Sequence, residues 1–150
     1  MANSNNWPRI VIDSRERHPY EFIGFPTVVK KLDTGDYSLE GFEHRVVCER
    51  KEKSDGFSCV GSSRKRFVNC LQRLGDIERG CIVIESSLAD FAIPPPYTRV
   101  SGAQAVGSFI SWSCRHRIPV FWCGSRAAAE RVTLRWLAAY LKHVAHATKC

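Results

Sequence analysis

No stretch of the chain approaches the roughly 18 consecutive apolar residues of a membrane helix, so no membrane-spanning role is expected. The N-terminus, MANSNNWPRI, lacks the basic start and apolar run of a secretory signal, which predicts a chain that stays in the cytoplasm. No CxxC occurs among the seven cysteines, which argues against a structural zinc site. Without an export signal those thiols are expected to be reduced. HExxH, GxSxG and the P-loop pattern are absent, and with them the usual signs of a zinc protease, a serine hydrolase or an NTPase. Nor is there an internal repeat, a low-complexity tract or a second domain. Acid is scarce: 15 Asp and Glu stand against 22 Lys and Arg, a net charge of +7. Such an excess favours a polyanionic partner, nucleic acid above all.

What is present reads as one ordinary core. Residues 1–8 form a polar tail, and residues 9–150 form a single domain. Arg9-Ile10-Val11-Ile12-Asp13 is a buried strand closing on an acid, and Thr27 to Leu32 is a second strand. Residues 55–63, with Gly56 and Gly61, read as a mobile linker. Ser63 is placed to cap a helix whose stripe is Phe67, Cys70, Leu71, Leu74 and Ile77, with Gly80 as its stop. Cys48 and Cys70 occupy apolar positions, where cysteine acts as a small hydrophobe. Cys81 to Glu85 is a further buried strand, and Pro94-Pro95-Pro96 forbids helix interior. Ser101 and Gln104 fit a capping box, opening a helix with Val106, Phe109, Ile110 and Ser113 on one face. Pro119 to Cys123 is a short strand. The last helix carries Val132, Trp136, Leu137, Tyr140, Leu141 and Val144 on its stripe. Strands first, then strands alternating with helices, predict an α/β domain with a mixed sheet flanked by helices.

The chemistry concentrates between Gly35 and Asp55. Tyr37-Ser38-Leu39 and Arg45 to Lys51 read as two arms of a hairpin around Gly41. Paired symmetrically, Tyr37 faces Cys48 and Asp36 faces Glu49. Directly opposed residues have Cβ atoms about 4.5–5.5 Å apart, so the two carboxylates repel unless a cation lies between them. Lys51, two residues beyond Glu49, shares its face. Mg²⁺ takes one or two carboxylates and keeps several waters. Asp36 and Glu49 are its natural ligands here, with Asp13 as a third oxygen. Lys51 would stabilise a pentacovalent phosphorane or orient the attacking water. Residues 49–53 also fit a solvated, self-paired charge run, Asp13 a turn acid, and Asp55 a loop acid. Arg64, Lys65 and Arg66 form a basic patch for DNA phosphates, or solvated arginines at a helix start. Arg15 and Arg17 form a second patch. The five histidines lack ligand spacing.

Gly35-Asp36, Glu49-Arg50-Lys51 and Asp55 together spell GD…ERKxxxD. This resembles the signature of the XPF family of structure-specific endonucleases, a branch of the restriction-endonuclease-like PD-(D/E)xK nucleases. Val11-Ile12-Asp13-Ser14-Arg15-Glu16 looks like that family's V-x-D-x-R-E segment. Arg64 to Leu74 looks like its basic helix, and Ile82 to Glu85 like its central strand. The resemblance, which runs from about Arg9 to Tyr140, implies a restriction-endonuclease-like fold and an Mg²⁺- or Mn²⁺-dependent endonuclease for branched or flap DNA in repair and recombination. It implies Asp36 and Glu49 as metal ligands with Asp13 near them, and Lys51 as the catalytic lysine. Arg15, Glu16, Arg50 and Asp55 would support the site or contact phosphate. It also implies a homodimer through the last helices, although that stripe equally fits a core. Residues 9–150 hold no tandem helix-hairpin-helix domain, which many members carry, so a separate partner is a candidate source of junction recognition. A compact version suits a prokaryote or phage, with the protein at the nucleoid. The competing reading is a catalytically inactive DNA-binding or scaffold module of the same fold, and it predicts a lost acid or lysine. A small RNA-binding protein is disfavoured, because aromatics such as Phe67, Phe109 and Trp136 sit on core stripes rather than exposed.

Overall fold

The computed structural model describes residues 6–149. Residues 1–5 of the expected tail and the seventh cysteine, Cys150, lie outside them. Trp7 does not belong to a loose tail: it is half-buried and packs edge-on against Phe25 with ring centroids 5.0 Å apart.

Six strands form one mixed sheet in the order β2-β1-β3-β4-β5-β6. They are β1 (Ile10–Asp13), β2 (Thr27–Lys30), β3 (Tyr37–Leu39), β4 (Val46–Lys51), β5 (Arg79–Ile84) and β6 (Val120–Trp122). β3 runs antiparallel to both β1 and β4, while the β1–β2, β4–β5 and β5–β6 pairs are parallel. The helices are α1 (Lys53–Val60), α2 (Arg64–Gly75), α3 (Leu88–Phe91), α4 (Gly102–His116) and α5 (Arg126–Ala147).

Side chains alternate across a strand, and the alternation divides the core in two. Val47, Ile82 and Ile84 face a cluster with Phe57, Phe67, Phe91, Phe109 and Trp112 from α1 to α4. Val46, Cys48, Cys81 and Val83 face the other cluster, with Tyr20, Phe22, Tyr37 and, from α5, Leu137 and Tyr140. The paired Cα positions Tyr37↔Cys48 and Ser38↔Val47 are those of the symmetric hairpin.

Several sequence expectations fail. Much of the linker expected at 55–63 is helix α1, with Gly56, Phe57, Cys59 and Val60 buried. Gly56 is a packing residue there, not a breaker. A Cβ on it would lie 2.8 Å from the Phe91 ring. Gly80 does not stop α2, which ends at Gly75. It lies inside β5, where a side chain would meet the Leu74 carbonyl oxygen at 2.9 Å. Ser63 is the N-cap of α2, but its hydroxyl makes no capping bond. The capping box of α4 is complete. The buried face of that helix is Ala105, Phe109 and Trp112, whereas Ile110 is exposed. Only Phe109 of the expected apolar face is fully buried, since the large indole of Trp112 fills the cluster beside Phe67.

Replacing Gly56 therefore sets two effects in opposition. Alanine gains about 1 kcal/mol of helix propensity over glycine. Overpacking a filled core costs about 1–3 kcal/mol. Phe91 is fully buried, with Phe57 and Phe109 ring centroids at 5.1 and 5.6 Å, so its ring has nowhere to retreat. Gly56→Ala is expected to lose stability, by about 1 kcal/mol, in urea unfolding. A more stable variant would show that the ring has room.

Candidate active site

Strand alternation delivers four side chains to one face. Ile10 and Ile12 pack toward α5, so Val11 and Asp13 point the other way. The same logic turns Asp36 with Ser38, and Glu49 and Lys51 with Val47. Gly35 makes the delivery possible. Its φ is +80°, and a side chain on it would clash with Val47 Cγ1 at 2.0 Å. The backbone N–H of Asp36 then donates to the Cys48 carbonyl oxygen at 2.9 Å.

The result is an open cavity of about 320 Å³ over the ends of β1, β3 and β4. Asp13, Asp36, Glu49 and Lys51 line it, with Arg15 and Glu16 from the loop after β1. Asp33 and Thr34 close one side, and Cys59, Ser63, Arg66, Cys70 and Arg73 from α1 and α2 close the other.

Asp36 Oδ2 accepts the Arg50 backbone N–H at 2.7 Å. Burial pushes the Asp36 carboxyl well above the usual carboxylate range, and the charges of Glu49 and Glu16 push it further. The Arg50 amide and the Lys51 charge oppose that rise without cancelling it. Glu49 is buried, and its Oε1 lies 3.0 Å from Lys51 Nζ. Burial pulls the Lys51 ammonium down, but Glu49 and Asp36 outweigh it and hold Lys51 above its ordinary value. With no metal between them, those two carboxylates favour the charged form of Lys51.

Asp13, the expected third metal oxygen, lines the cavity and is held there by hydrogen bonds on both oxygens. Its Oδ1 accepts the Leu32 backbone N–H at 2.9 Å, and its Oδ2 accepts Arg15 Nε at 2.9 Å. It fixes the β2–β3 connection and aims Arg15. Among the described residues, no three His, Cys, Asp or Glu side chains converge as a closed metal cage would require. An open site for Mg²⁺ or Mn²⁺ asks for less: one or two carboxylates, with water completing the shell. Asp36 and Glu49 fit that demand. Each keeps one carboxylate oxygen without a hydrogen-bond partner among the described residues, and their mutual repulsion is what a dication relieves.

The remaining expected site residues separate. Arg50 alternates to the opposite face, where it meets Glu85, Glu16 and Glu52. It reaches the cavity through its backbone amide alone. Glu16 bridges the two faces, lining the cavity while accepting from Arg50 Nη1 and the Tyr37 hydroxyl, each at 3.2 Å. Asp55 is exposed in the first turn of α1, outside the cavity lining. Arg17 is exposed on the loop after β1, also outside it. Of the basic trio at the start of α2, only Arg66 reaches the cavity. Lys65 points to solvent, and Arg64 lies over Trp112, 5.0 Å from the ring centroid. Cys70 is half-buried: it packs against the α1–α4 cluster as expected and also walls the cavity. Burial raises the Cys59 thiol to about 11 and the Cys70 thiol to about 12, so both stay neutral. Arg73 and Ser63 are further lining residues that their types alone did not single out. Their signal was spacing: 63, 66, 70 and 73 fall on one stripe of α2.

A mixed α/β sheet with paired acids and a cation over its strand ends defines the restriction-endonuclease-like class. Within that class the assignment is specific: the ERCC4 domain model matches residues 12–135, and the chain belongs to the ERCC4 domain family. Its fold is similar to that of XPF from Aeropyrum pernix, with a TM-score of 0.72 at 18% identity, covering 95% of this chain and 69% of that one. XPF from Aeropyrum pernix in complex with DNA gives a TM-score of 0.69 at 22% identity, covering 90% of this chain and 66% of that one. The chain thus spans about two-thirds of the length of these structures. No curated protein matches it.

Proposed function

We propose that this domain is a divalent-metal-dependent endonuclease that hydrolyses phosphodiester bonds in DNA, with single-strand/double-strand junctions of branched or flap DNA as its substrates. The observation that carries the reading is the facing pair Asp36 and Glu49, with Lys51 Nζ 3.0 Å from Glu49, in a cavity walled by Arg15, Arg66 and Arg73. An intact acid pair and lysine weigh against an inactive module. That a similar structure was obtained with DNA supports the choice of polymer.

Asp36 and Glu49 would hold Mg²⁺ or Mn²⁺, which supplies Lewis-acid charge to the phosphoryl oxygens when bound. Lys51 donates to a non-bridging oxygen and meets the charge that grows there as water attacks phosphorus. Asp13 orients Arg15, and Arg15 with Arg66 and Arg73 clamps the flanking phosphates. The homodimer through the last helices belongs to the same proposal. Trp7, Phe25, Leu134 and Leu141 line an apolar groove along α5 that suits a second copy.

The test is incubation with 3′-flap, splayed-arm and linear duplex DNA in Mg²⁺, Mn²⁺ or EDTA. Metal-dependent cutting that prefers the junctions supports the proposal, and no cutting with either metal ends it. Binding is checked separately. Arg66→Ala and Arg73→Ala are each expected to weaken DNA binding and to lower the slope of log K against log salt by about 1. A slope unchanged in both variants would remove these arginines from the phosphate path.

A further inference from the structure

A second groove lies on the far side of the α1–α2 turn. Its first part, about 430 Å³, runs between α1 and the segment after α3, and Ser58, Ser62, Tyr97, Thr98 and Arg99 line it. Its second part, about 470 Å³, runs between the start of α2 and α4, over Arg64, Gln104, Ser108 and Ser111. Val100 lines both parts, so they adjoin, and no residue lining either part is acidic. Ser62 lines the trough and its neighbour Ser63 lines the catalytic cavity. The α1–α2 turn is therefore the ridge between the trough and the acids.

Three features point to the occupant. Tyr97 is fully exposed, at 105% relative accessibility. Its φ is +67°, a left-handed conformation that a bulky residue rarely adopts. The preceding Pro94-Pro95-Pro96 stiffens the stalk, so little freedom is lost when the ring is covered. Arg64 is already oriented. Its Nη1 donates to the Val60 carbonyl oxygen at 3.2 Å and to Ser108 Oγ at 3.3 Å, which leaves Nε and Nη2 for an anion. Arg99 adds a second exposed cation. An exposed ring, cations spaced along a trough and flanking hydroxyls form the stacking platform and charged groove that hold single strands.

We propose that this trough takes the single-stranded arm of the DNA as it leaves the catalytic cavity, with Tyr97 stacked on a base and Arg99 and Arg64 on its phosphates. The inference rests on the nuclease reading for its polymer, and it adds the residues that recognise a junction.

Binding in EDTA tests it without cleavage. The probes are a splayed-arm DNA with 2-aminopurine in one arm and a blunt duplex of the same sequence. The wild type is expected to bind the splayed arm more tightly and to quench the 2-aminopurine. Tyr97→Ala is expected to lose about 10-fold on the splayed arm, the size of one base–aromatic stack, to lose the quenching, and to bind the blunt duplex as before. Tyr97→Phe keeps the stack and the affinity. Arg99→Ala lowers the salt slope on the splayed arm by about 0.7. If Tyr97→Ala alters the unfolding midpoint, the exposed Arg99→Ala decides. The proposal is overturned if these variants bind both DNAs like the wild type, or lose equally on both. Cleavage in Mg²⁺ is scored apart. A wild type that binds the arm but cuts nothing ends the nuclease reading and leaves the trough. A wild type that cuts, with Tyr97→Ala unchanged in binding, ends the trough alone.

Discussion

Asp36→Asn is expected to lower DNA cleavage by on the order of 1,000-fold while raising the unfolding temperature of the protein in EDTA. The loss follows from the role. A carboxylate holding a catalytic dication supports several kcal/mol of charge stabilisation in the transition state, and each 1.36 kcal/mol is about tenfold in rate. The gain in stability follows from the geometry. Asp36 is crowded by burial, by Glu49 and by Glu16, so its charged form is disfavoured in the fold. The asparagine removes the charge and keeps an oxygen to accept the Arg50 amide. The sign with pH is fixed by the direction of the shift. An acid raised in the folded state contributes stability below its unfolded pKa and loses it as pH rises through the folded value. The wild type in EDTA should therefore lose stability along that rise, and the variant should not. Mg²⁺ should restore the wild type by mass action and affect the variant little. Thermal unfolding with and without Mg²⁺, beside single-turnover cleavage, reads all of this. An asparagine variant that cuts as fast as the wild type would remove Asp36 from the site.

The parts of the site legible in the sequence are those fixed by short-range rules. Alternation places Asp36, Glu49 and Lys51 together once Tyr37 is paired with Cys48, and a single residue of slippage would have scattered them. The sheet class followed from element order. What escaped depends on contacts distant in sequence. Gly56 and Gly80 read as punctuation because their reasons, Phe91 and Leu74, become visible only after the chain has packed. Arg50 read as part of one charged tripeptide, yet alternation separates it from both of its neighbours. That separation was available from the same rule that paired the acids. Its partners were not, since Glu85 is 35 residues away. The cavity wall on α2 was present as a stripe at 63, 66, 70 and 73. Cysteine at 70 hid it, because a thiol fits a core equally well.

Arg50→Met is expected to destabilise the domain by about 3–5 kcal/mol, the range for breaking a buried charge group by removing one partner. Only 8% of the Arg50 side chain is exposed, and the same holds for Glu85. The guanidinium donates through Nε to Glu85, through Nη1 to Glu16 and the His18 carbonyl oxygen, and through Nη2 to Glu52. It also lies 5.1 Å from the centroid of the Tyr20 ring. Methionine would fill the volume of the stem and strand the acids. Glu85 would keep the Tyr20 hydroxyl at 2.7 Å, with Arg126 at 3.7 Å as its only remaining ion-pair partner among the described residues, too little to compensate a buried carboxylate. If the cost lies in the orphaned charge, removing both partners should hurt less than removing Arg50 alone. Arg50→Met with Glu85→Leu is therefore expected to recover part of the loss, which gives a coupling energy of the sign that rescue requires. Activity reports a different property. The strand end at residue 50 hydrogen-bonds Asp36 through its amide, so a loosened strand should lower cleavage even where the double variant refolds. Urea unfolding of both single variants and the double variant, followed by cleavage at a temperature where all are folded, separates stability from positioning. A loss below about 1 kcal/mol in Arg50→Met would mean that solvent reaches this cluster and screens it as it screens surface pairs.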